Sequence, residues 1–286
     1  MDAYTDFASV YDTFMDETPY EEWAEFIHGL IKEYGISKPE TKKKTDDVAD
    51  KKSRSRIEEG DAVSEAENLD SERNLVLDLG CGTGTLTELL AQKGYDMIGV
   101  DYSQEMLNIA MNKKEASGLE ILYLCQDMRE LDLYSTIGTV ISACDSVNYL
   151  LEEEDVVETF RLVNKFLYPG GVFIFDFNTV YKYEQVIGDT TIAENREDCS
   201  FIWDNFYHEE ECINEYDLTI FVKEEGELFR KFTETHYQRG YTLEEMATFV
   251  KKAGMEFVKA IDADTHDAPT DTSERIYIIA REQGKR

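Results

Sequence analysis

The densest chemical signal in the chain is the stretch LVLDLGCGTGTLTELL, in which an apolar run leads into Gly80-Cys81-Gly82-Thr83-Gly84 and then into a helix-forming segment. Glycines there let the backbone turn sharply and let a ligand approach the main chain with no Cβ in the way. The N–H groups that open a helix favour an acceptor-rich ligand. A dinucleotide fingerprint needs GxGxxG, but Thr85 stands where the third glycine should be and the glycines run GxGxG instead. Dinucleotide binding is disfavoured. The other reactive side chains are dispersed: His28 falls in an N-terminal helical segment, His208 and His266 in acidic loops, and His236 in THYQRGY. The five cysteines, Cys81, Cys125, Cys144, Cys199 and Cys212, never form a CxxC pair. No spacing suggests a metal site, and the cysteines read as reduced thiols of a cytoplasmic protein.

The glycine turn needs a strand and a helix to hold it, and the surrounding pattern supplies both. Residues 1–36 form an N-terminal unit in which Trp23, Phe26, Ile27, Leu30, Ile31 and Tyr34 recur at helical spacing before Gly35. From 38 to 74 there are no aromatics, with 9 Lys/Arg and 11 Asp/Glu in 37 residues, so 37–74 is expected to be a charged flexible insert. Its cluster Lys42, Lys43, Lys44, Lys51, Lys52, Arg54 and Arg56 is interleaved with acids and reads as a solvated linker, not a nucleic-acid patch. Over 75–178, apolar strands at LVLDL, MIGVD, EILYLC, TVISACD and GVFIFDF alternate with helices near 85–93, 103–115 and 152–166. Continuous apolar strands separated by helices predict a parallel sheet covered on both faces. Residues 179–241 change character: SFIWDNFY, NEYDLTIFVKEE and ELFRKFTETHYQR predict antiparallel strands with a turn at Glu225-Gly226. In 242–286, Thr242 and Glu245 form a capping box before a helix, and EFVKAIDA and ERIYIIARE supply two strands that complete the core.

Five landmarks in order resemble the class I S-adenosylmethionine-dependent methyltransferases. They are Asp78 to Gly84 after the first strand, Asp101 ending the second in GVDYSQEML, Asp127 after the third in CQDMREL, DSVNYLL after the fourth, and Pro169-Gly170-Gly171 before the fifth. The resemblance is tight over 74–178 and looser towards both ends. It implies an α/β, Rossmann-like, doubly wound sheet of seven mostly parallel strands with an antiparallel β elaboration, and S-adenosylmethionine as cofactor. It further implies that Asp78 and the main chain of Gly80 and Gly82 hold the methionine part, with Cys81, Gly84 and Asp145 on the same edge. Asp101 would accept from both ribose hydroxyls, Tyr102 and Met106 would cover the adenine, Asp127 would accept from its amino group, and the Met128 main chain would meet a ring nitrogen. The segment FASVYDTFMD is similar to the start of amino-sugar and glycine-type N-methyltransferases, where a leading-helix tyrosine folds over the cofactor. Tyr11 matches it, or is an ordinary aromatic of a helix face.

Methyl transfer from a sulfonium is an in-line displacement at an already activated carbon, so the protein mainly positions the nucleophile and excludes water. The Asn/Asp-Pro-Pro-Tyr signature of nucleic-acid and glutamine amino methyltransferases is absent, with DSVNY in its place. That shifts weight to a small acceptor. Its pocket is expected where the sheet's C-terminal edge meets the elaboration, with Asn148, Tyr149, Asn178 and Trp203 binding it and His236 and Arg239 acting on it. His236 would take a proton from an ammonium or hydroxyl, or is only a strand residue. With 61 Asp+Glu against 29 Lys+Arg the net charge is −32, and outside 38–74 the balance is 50 acids to 20 bases. Such a field repels a phosphate backbone and an anionic membrane, and favours a neutral or cationic acceptor. The N-terminus has no basic region followed by an apolar one, and no apolar run approaches the roughly 20 residues that span a bilayer. The expectation is a cytoplasmic monomer or homodimer methylating nitrogen or oxygen of a small metabolite, bound to neither membrane nor nucleic acid. A noncatalytic cofactor-binding module and a methyltransferase acting on a protein partner are the alternatives.

Overall fold

Strands that read as unbroken apolar runs assemble at the centre of the molecule, where both faces are covered. The structure, a computed structural model, describes residues 7–40, 71–224 and 226–285. Its main sheet comprises β1 (Leu75–Leu79), β2 (Asp96–Asp101), β3 (Ile121–Cys125), β4 (Ile137–Ser142), β5 (Leu167–Asn178), β10 (Met255–Asp262) and β11 (Arg275–Glu282), in the order β10-β11-β5-β4-β1-β2-β3. The first five strands pair in parallel, whereas β11 runs antiparallel to both β5 and β10. Strand order reverses between β1 and β4, so the ligand crevice of this topology opens at their C-terminal ends.

Alternation along β1 divides the core in two. Leu77 and Leu79 join the cluster under α5 (Glu153–Phe166) and α6 (Leu243–Lys252), while Val76 joins the one under α2 (Tyr20–Tyr34) and α3 (Thr85–Gln92). A further helix, α4 (Gln104–Ser117), is N-capped by Ser103, whose hydroxyl accepts from Met106 N at 3.1 Å. The expected capping box at α6 is present, with Thr242 and Glu245 bonding each other's main chain. The largest departures from the strand bounds read in the sequence are at the end of β4 and the start of β5. β4 ends at Ser142, short of 145, because Cys144 and Asp145 adopt φ of 59° and 53°, which no strand accommodates. β5 starts at Leu167, ahead of 171, because Leu167 already pairs with Ile137 across an irregularity that Gly138 and Gly171 accommodate.

The elaboration is an antiparallel sheet of β6 (Thr191–Asn195), β7 (Cys199–His208), β8 (Ile213–Lys223) and β9 (Phe229–Arg239) in sequence order. Its inner face packs against α1 (Ala8–Phe14) through Val10, Leu218 and Ile220, with Phe7, Phe14, Phe201 and Trp203 around them. The first helix bridges the elaboration and the main domain, because Asp12 on its other side accepts from Thr83 Oγ1 (2.6 Å) and pairs with Lys113 of α4 (2.6 Å).

Of the charged insert, residues 41–70 lie outside the described residues, as does Glu225 of the expected turn. The insert's flanks meet at the N-terminal end of β1. Ser37 Oγ donates to Arg73 O (3.1 Å), Lys38 N to Asn74 Oδ1 (3.1 Å) and Glu40 N to Gly94 O (2.8 Å). Among the described residues no helix is long and apolar enough to cross a membrane.

Candidate active site

At the C-terminal ends of β1, β2 and β4 the chain encloses a cavity of about 390 Å³, floored by the glycine turn. Gly82 has φ +54°, and a Cβ built on it meets nothing within 4 Å, so the main chain there lies open to the cavity. Asp101, the last residue of β2, accepts from Gly82 N through Oδ2 (2.7 Å) and from Ser103 N through Oδ1 (2.8 Å). Its carboxylate is oriented by the turn it helps to hold. Asp78, fully buried one strand over, accepts from Thr87 Oγ1 at 2.6 Å. Burial pushes its carboxyl up to about 7; the Thr87 bond opposes that rise and the neighbouring Asp101 adds to it. Asp101 is also raised by burial, against its main-chain bonds. Two desolvated carboxyls in one cavity make a site suited to a cation.

The far flank is apolar and aromatic. Met106 from α4, Met128 from the turn after β3, and Tyr102, which is 58% exposed, border the cavity there. Asp127 also borders it and caps the Met128–Glu130 turn by accepting from Arg129 N at 2.9 Å. The Arg129 guanidinium bonded to this carboxyl holds it below the usual carboxylate range. Three tyrosines also line the cavity: Tyr11 from α1, Tyr20 from the start of α2, and Tyr149 from the Ser146–Tyr149 turn. Burial raises the Tyr20 phenol well above its ordinary value, so it stays neutral as a hydrogen-bonding hydroxyl.

The family model described as "Methyltransferase domain" matches residues 76–171. A putative methyltransferase of Bacillus subtilis, YqeM, is 33% identical over 279 residues, covering 97% of this chain and 96% of its own. The crystal structure of an S-adenosylmethionine-dependent methyltransferase from Clostridium acetobutylicum superposes with a TM-score of 0.77 at 27% identity, covering 99% of this chain and 100% of that one. The chain belongs to the S-adenosylmethionine-dependent methyltransferases. DesVI of Streptomyces venezuelae shares the fold at a TM-score of 0.70 and 18% identity, over 97% of this chain and 99% of its own.

The cofactor of this methyltransferase is S-adenosylmethionine, and the cavity fits it. An uncovered glycine main chain, a fixed carboxylate at a strand end and a second buried carboxyl match a nucleoside with a cationic amino-acid tail. Cys81 and Gly80 border the same floor. Two residues expected on this edge are not on the cavity wall. Gly84 faces away from it, because a Cβ there would lie 2.4 Å from Tyr123 Oη; its role is close packing of α3 against β3. Asp145 turns to Arg275 Nη2 (2.9 Å) and Gln238 Nε2 (2.6 Å), partners that draw it to the β9–β11 side.

On the acceptor side only Tyr149 of the expected residues reaches the cavity wall. Asn148 is fully buried, accepting from Asn178 N (2.9 Å) and donating to Asn178 O (2.9 Å) and Arg239 O (2.7 Å). It staples the end of β5 to the end of β9. The Asn178 side chain bonds Tyr183 and Lys182. Arg239 donates to Leu151 O (2.9 Å) and lies over the Tyr241 ring (5.2 Å), which makes it a strut between β9 and the segment after β4. Trp203 packs on Tyr216 at 4.7 Å within the sheet's inner face. His236 stands one residue behind the wall, with Nδ1 3.2 Å from Tyr149 Oη. The reading from sequence missed Tyr20 on the cavity wall. Tyr20 continues the apolar face of α2 through Ala24, Ile27 and Ile31, so nothing in its spacing separates it from the core.

Proposed function

We propose that this methyltransferase methylates a nitrogen or oxygen of a small, neutral or cationic metabolite held between the glycine turn and the three tyrosines. The observation that carries this reading is a cavity of about 390 Å³ whose wall brings Tyr11, Tyr20 and Tyr149 together with Asp78 and Asp101. That volume is near the small end of the 300–1,000 Å³ common for ligand sites, so the space beside a nucleoside cofactor suits a compact acceptor. Bound S-adenosylmethionine supplies a methyl group on a sulfonium, an electrophile that needs no further activation. Asp101 accepts from the ribose hydroxyls, and Asp78, ionised beside the cationic tail, anchors that end. Met106, Met128 and Tyr102 give the adenine an apolar bed, and Asp127 meets its polar edge. The tyrosines exclude water and orient the acceptor. The surplus of 61 acidic over 29 basic residues draws cations and repels polyanions.

Calorimetry with S-adenosylhomocysteine and NAD side by side tests the cofactor half. Release of S-adenosylhomocysteine across a panel of amines, phenols, hydroxy acids and basic proteins tests the acceptor half. Turnover confined to the proteins would overturn the small-acceptor reading.

A further inference from the structure

We propose that Glu234, His236 and Tyr149 form a proton-withdrawal relay that opens on the acceptor side of the cavity, with the Tyr149 hydroxyl touching the acceptor. This rests on the methyltransferase reading of the cavity and adds to it a class of acceptor, one whose nucleophile carries a proton to be removed: a hydroxyl or an ammonium.

The period of two along β9 sets Glu234 and His236 on the same, inner face of the sheet. Both are buried there, at 9% and 2% exposure. Glu234 Oε2 lies 3.3 Å from His236 Nε2, and on the other side of the ring Nδ1 lies 3.2 Å from Tyr149 Oη. The ring is held flat by Tyr216, stacked on it at 4.9 Å and 5°, and the Tyr216 hydroxyl is 2.6 Å from that of Tyr149. The second carboxylate oxygen of Glu234 accepts from Phe7 N at 2.9 Å, just ahead of the helix that carries Tyr11 over the cavity. The same carboxylate therefore ties the relay to the cover of the site. Among the described residues, the titratable groups facing the imidazole are Glu234 from β9, Tyr216 from β8 and Tyr149 from the turn after β4.

The Glu234 carboxylate 3.3 Å from Nε2 is not aligned as a hydrogen bond to it, but its charge favours the ring's proton on that nitrogen, which leaves Nδ1 to accept from Tyr149. The arrangement runs in one direction. As the acceptor's nitrogen or oxygen gains the methyl carbon, the electron pair of the broken C–S bond stays on the cofactor's sulfur. The nucleophile's proton passes to Tyr149 Oη, and the phenolic proton of Tyr149 passes to His236 Nδ1. The imidazolium so formed is balanced by the Glu234 carboxylate, and after the product leaves His236 Nδ1 returns its proton to Tyr149, whose hydroxyl releases the extra proton to water entering the cavity. Tyr149 is the catalytic residue of this set; His236 and Glu234 act through it.

Nitrogen-15 NMR of the histidine rings in the full chain, with S-adenosylhomocysteine present, tests the relay without knowledge of the acceptor. There are four histidines, and His236→Asn identifies the relevant resonances. The expected result is a ring protonated on Nε2, with an Nδ1 resonance that moves in Tyr149→Phe. Glu234→Gln should weaken the preference for the Nε2–H tautomer, read as a change in the difference between the two ring nitrogen shifts. A ring protonated on Nδ1, or one already doubly protonated at neutral pH, would overturn the proposal, as would a Tyr149→Phe spectrum with Nδ1 unmoved. Should Glu234→Gln fail to fold, the tautomer of the unaltered chain still decides. Binding of S-adenosylhomocysteine in the same samples reports separately on the methyltransferase reading, because a chain that does not bind it fails there regardless of the tautomer.

Discussion

Both oxygens of Asp101 hold main-chain N–H groups, of Gly82 and Ser103, so the carboxylate is oriented before any ligand arrives. Lone pairs remain for two ribose hydroxyls. Asp101→Ala should weaken binding of S-adenosylhomocysteine by roughly 2–4 kcal/mol, the worth of two charge-assisted hydrogen bonds, as read by calorimetry on a chain whose circular dichroism is unchanged. Normal affinity would put the ribose elsewhere. Asp78 carries a prediction in pH. Its folded pKa of about 7 lies above the unfolded value, so its contribution to stability is full below about pH 4 and is lost as pH rises through about 7. A neighbouring cation reverses that preference by favouring the ionised form. Affinity for S-adenosylmethionine should therefore increase between about pH 6 and pH 8, and Asp78→Asn should flatten the dependence. An unaltered chain with pH-independent affinity over that range would mean that no cation sits beside Asp78.

At the scale of elements, the glycine turn serves packing as well as binding. Gly84 opens α3 with φ +75°, and a Cβ there would sit 2.4 Å from Tyr123 Oη and 3.0 Å from Ala110 Cβ. Gly84→Ala should cost roughly 2–4 kcal/mol in denaturant unfolding, from backbone strain and overpacking together. Adding Tyr123→Phe removes the overlapping hydroxyl and should recover part of the loss while the strain at φ remains. No recovery would show that the backbone alone sets the cost. The core elements and the turn were legible in sequence because strands buried on both faces carry their signal locally, in apolar runs such as LVLDL and in the strand-end position of Asp101. The acceptor side was not. Asn148, Asn178 and Arg239 are polar residues of the expected kind, yet each is engaged by a partner remote in sequence, and Tyr149 meets His236 across 87 residues. Alternation in β9 tells which residues share a face but not what faces them.

For the whole molecule, the sheet separates the site from the two chain ends that flank residues 41–70. The flanks of 41–70 are tied to each other and to Gly94 at the N-terminal end of β1, whereas the cavity opens beyond its C-terminal end. The five residues of β1 span about 17 Å at 3.3 Å each, which puts the insert's flanks well outside contact range of the cofactor. Within 41–70 there is no aromatic side chain, and Val48, Ile57, Val63 and Leu69 are the largest aliphatics, so the segment offers the core little apolar surface to bury. The segment carries 7 basic and 9 acidic residues, so its removal barely changes a net charge of −32 and leaves the field at the cavity in place. Because the closing ends are already pinned, a shorter connection also costs less loop-closure entropy. Replacing 41–70 with a short Gly/Ser linker should therefore keep the melting temperature within about 4 °C, the shift that ~1 kcal/mol produces in a domain of this size, and leave affinity for S-adenosylhomocysteine unchanged. A shortened chain that unfolds would assign the segment to the core, and one that stays folded but loses cofactor affinity would show that the insert reaches the far end of the sheet.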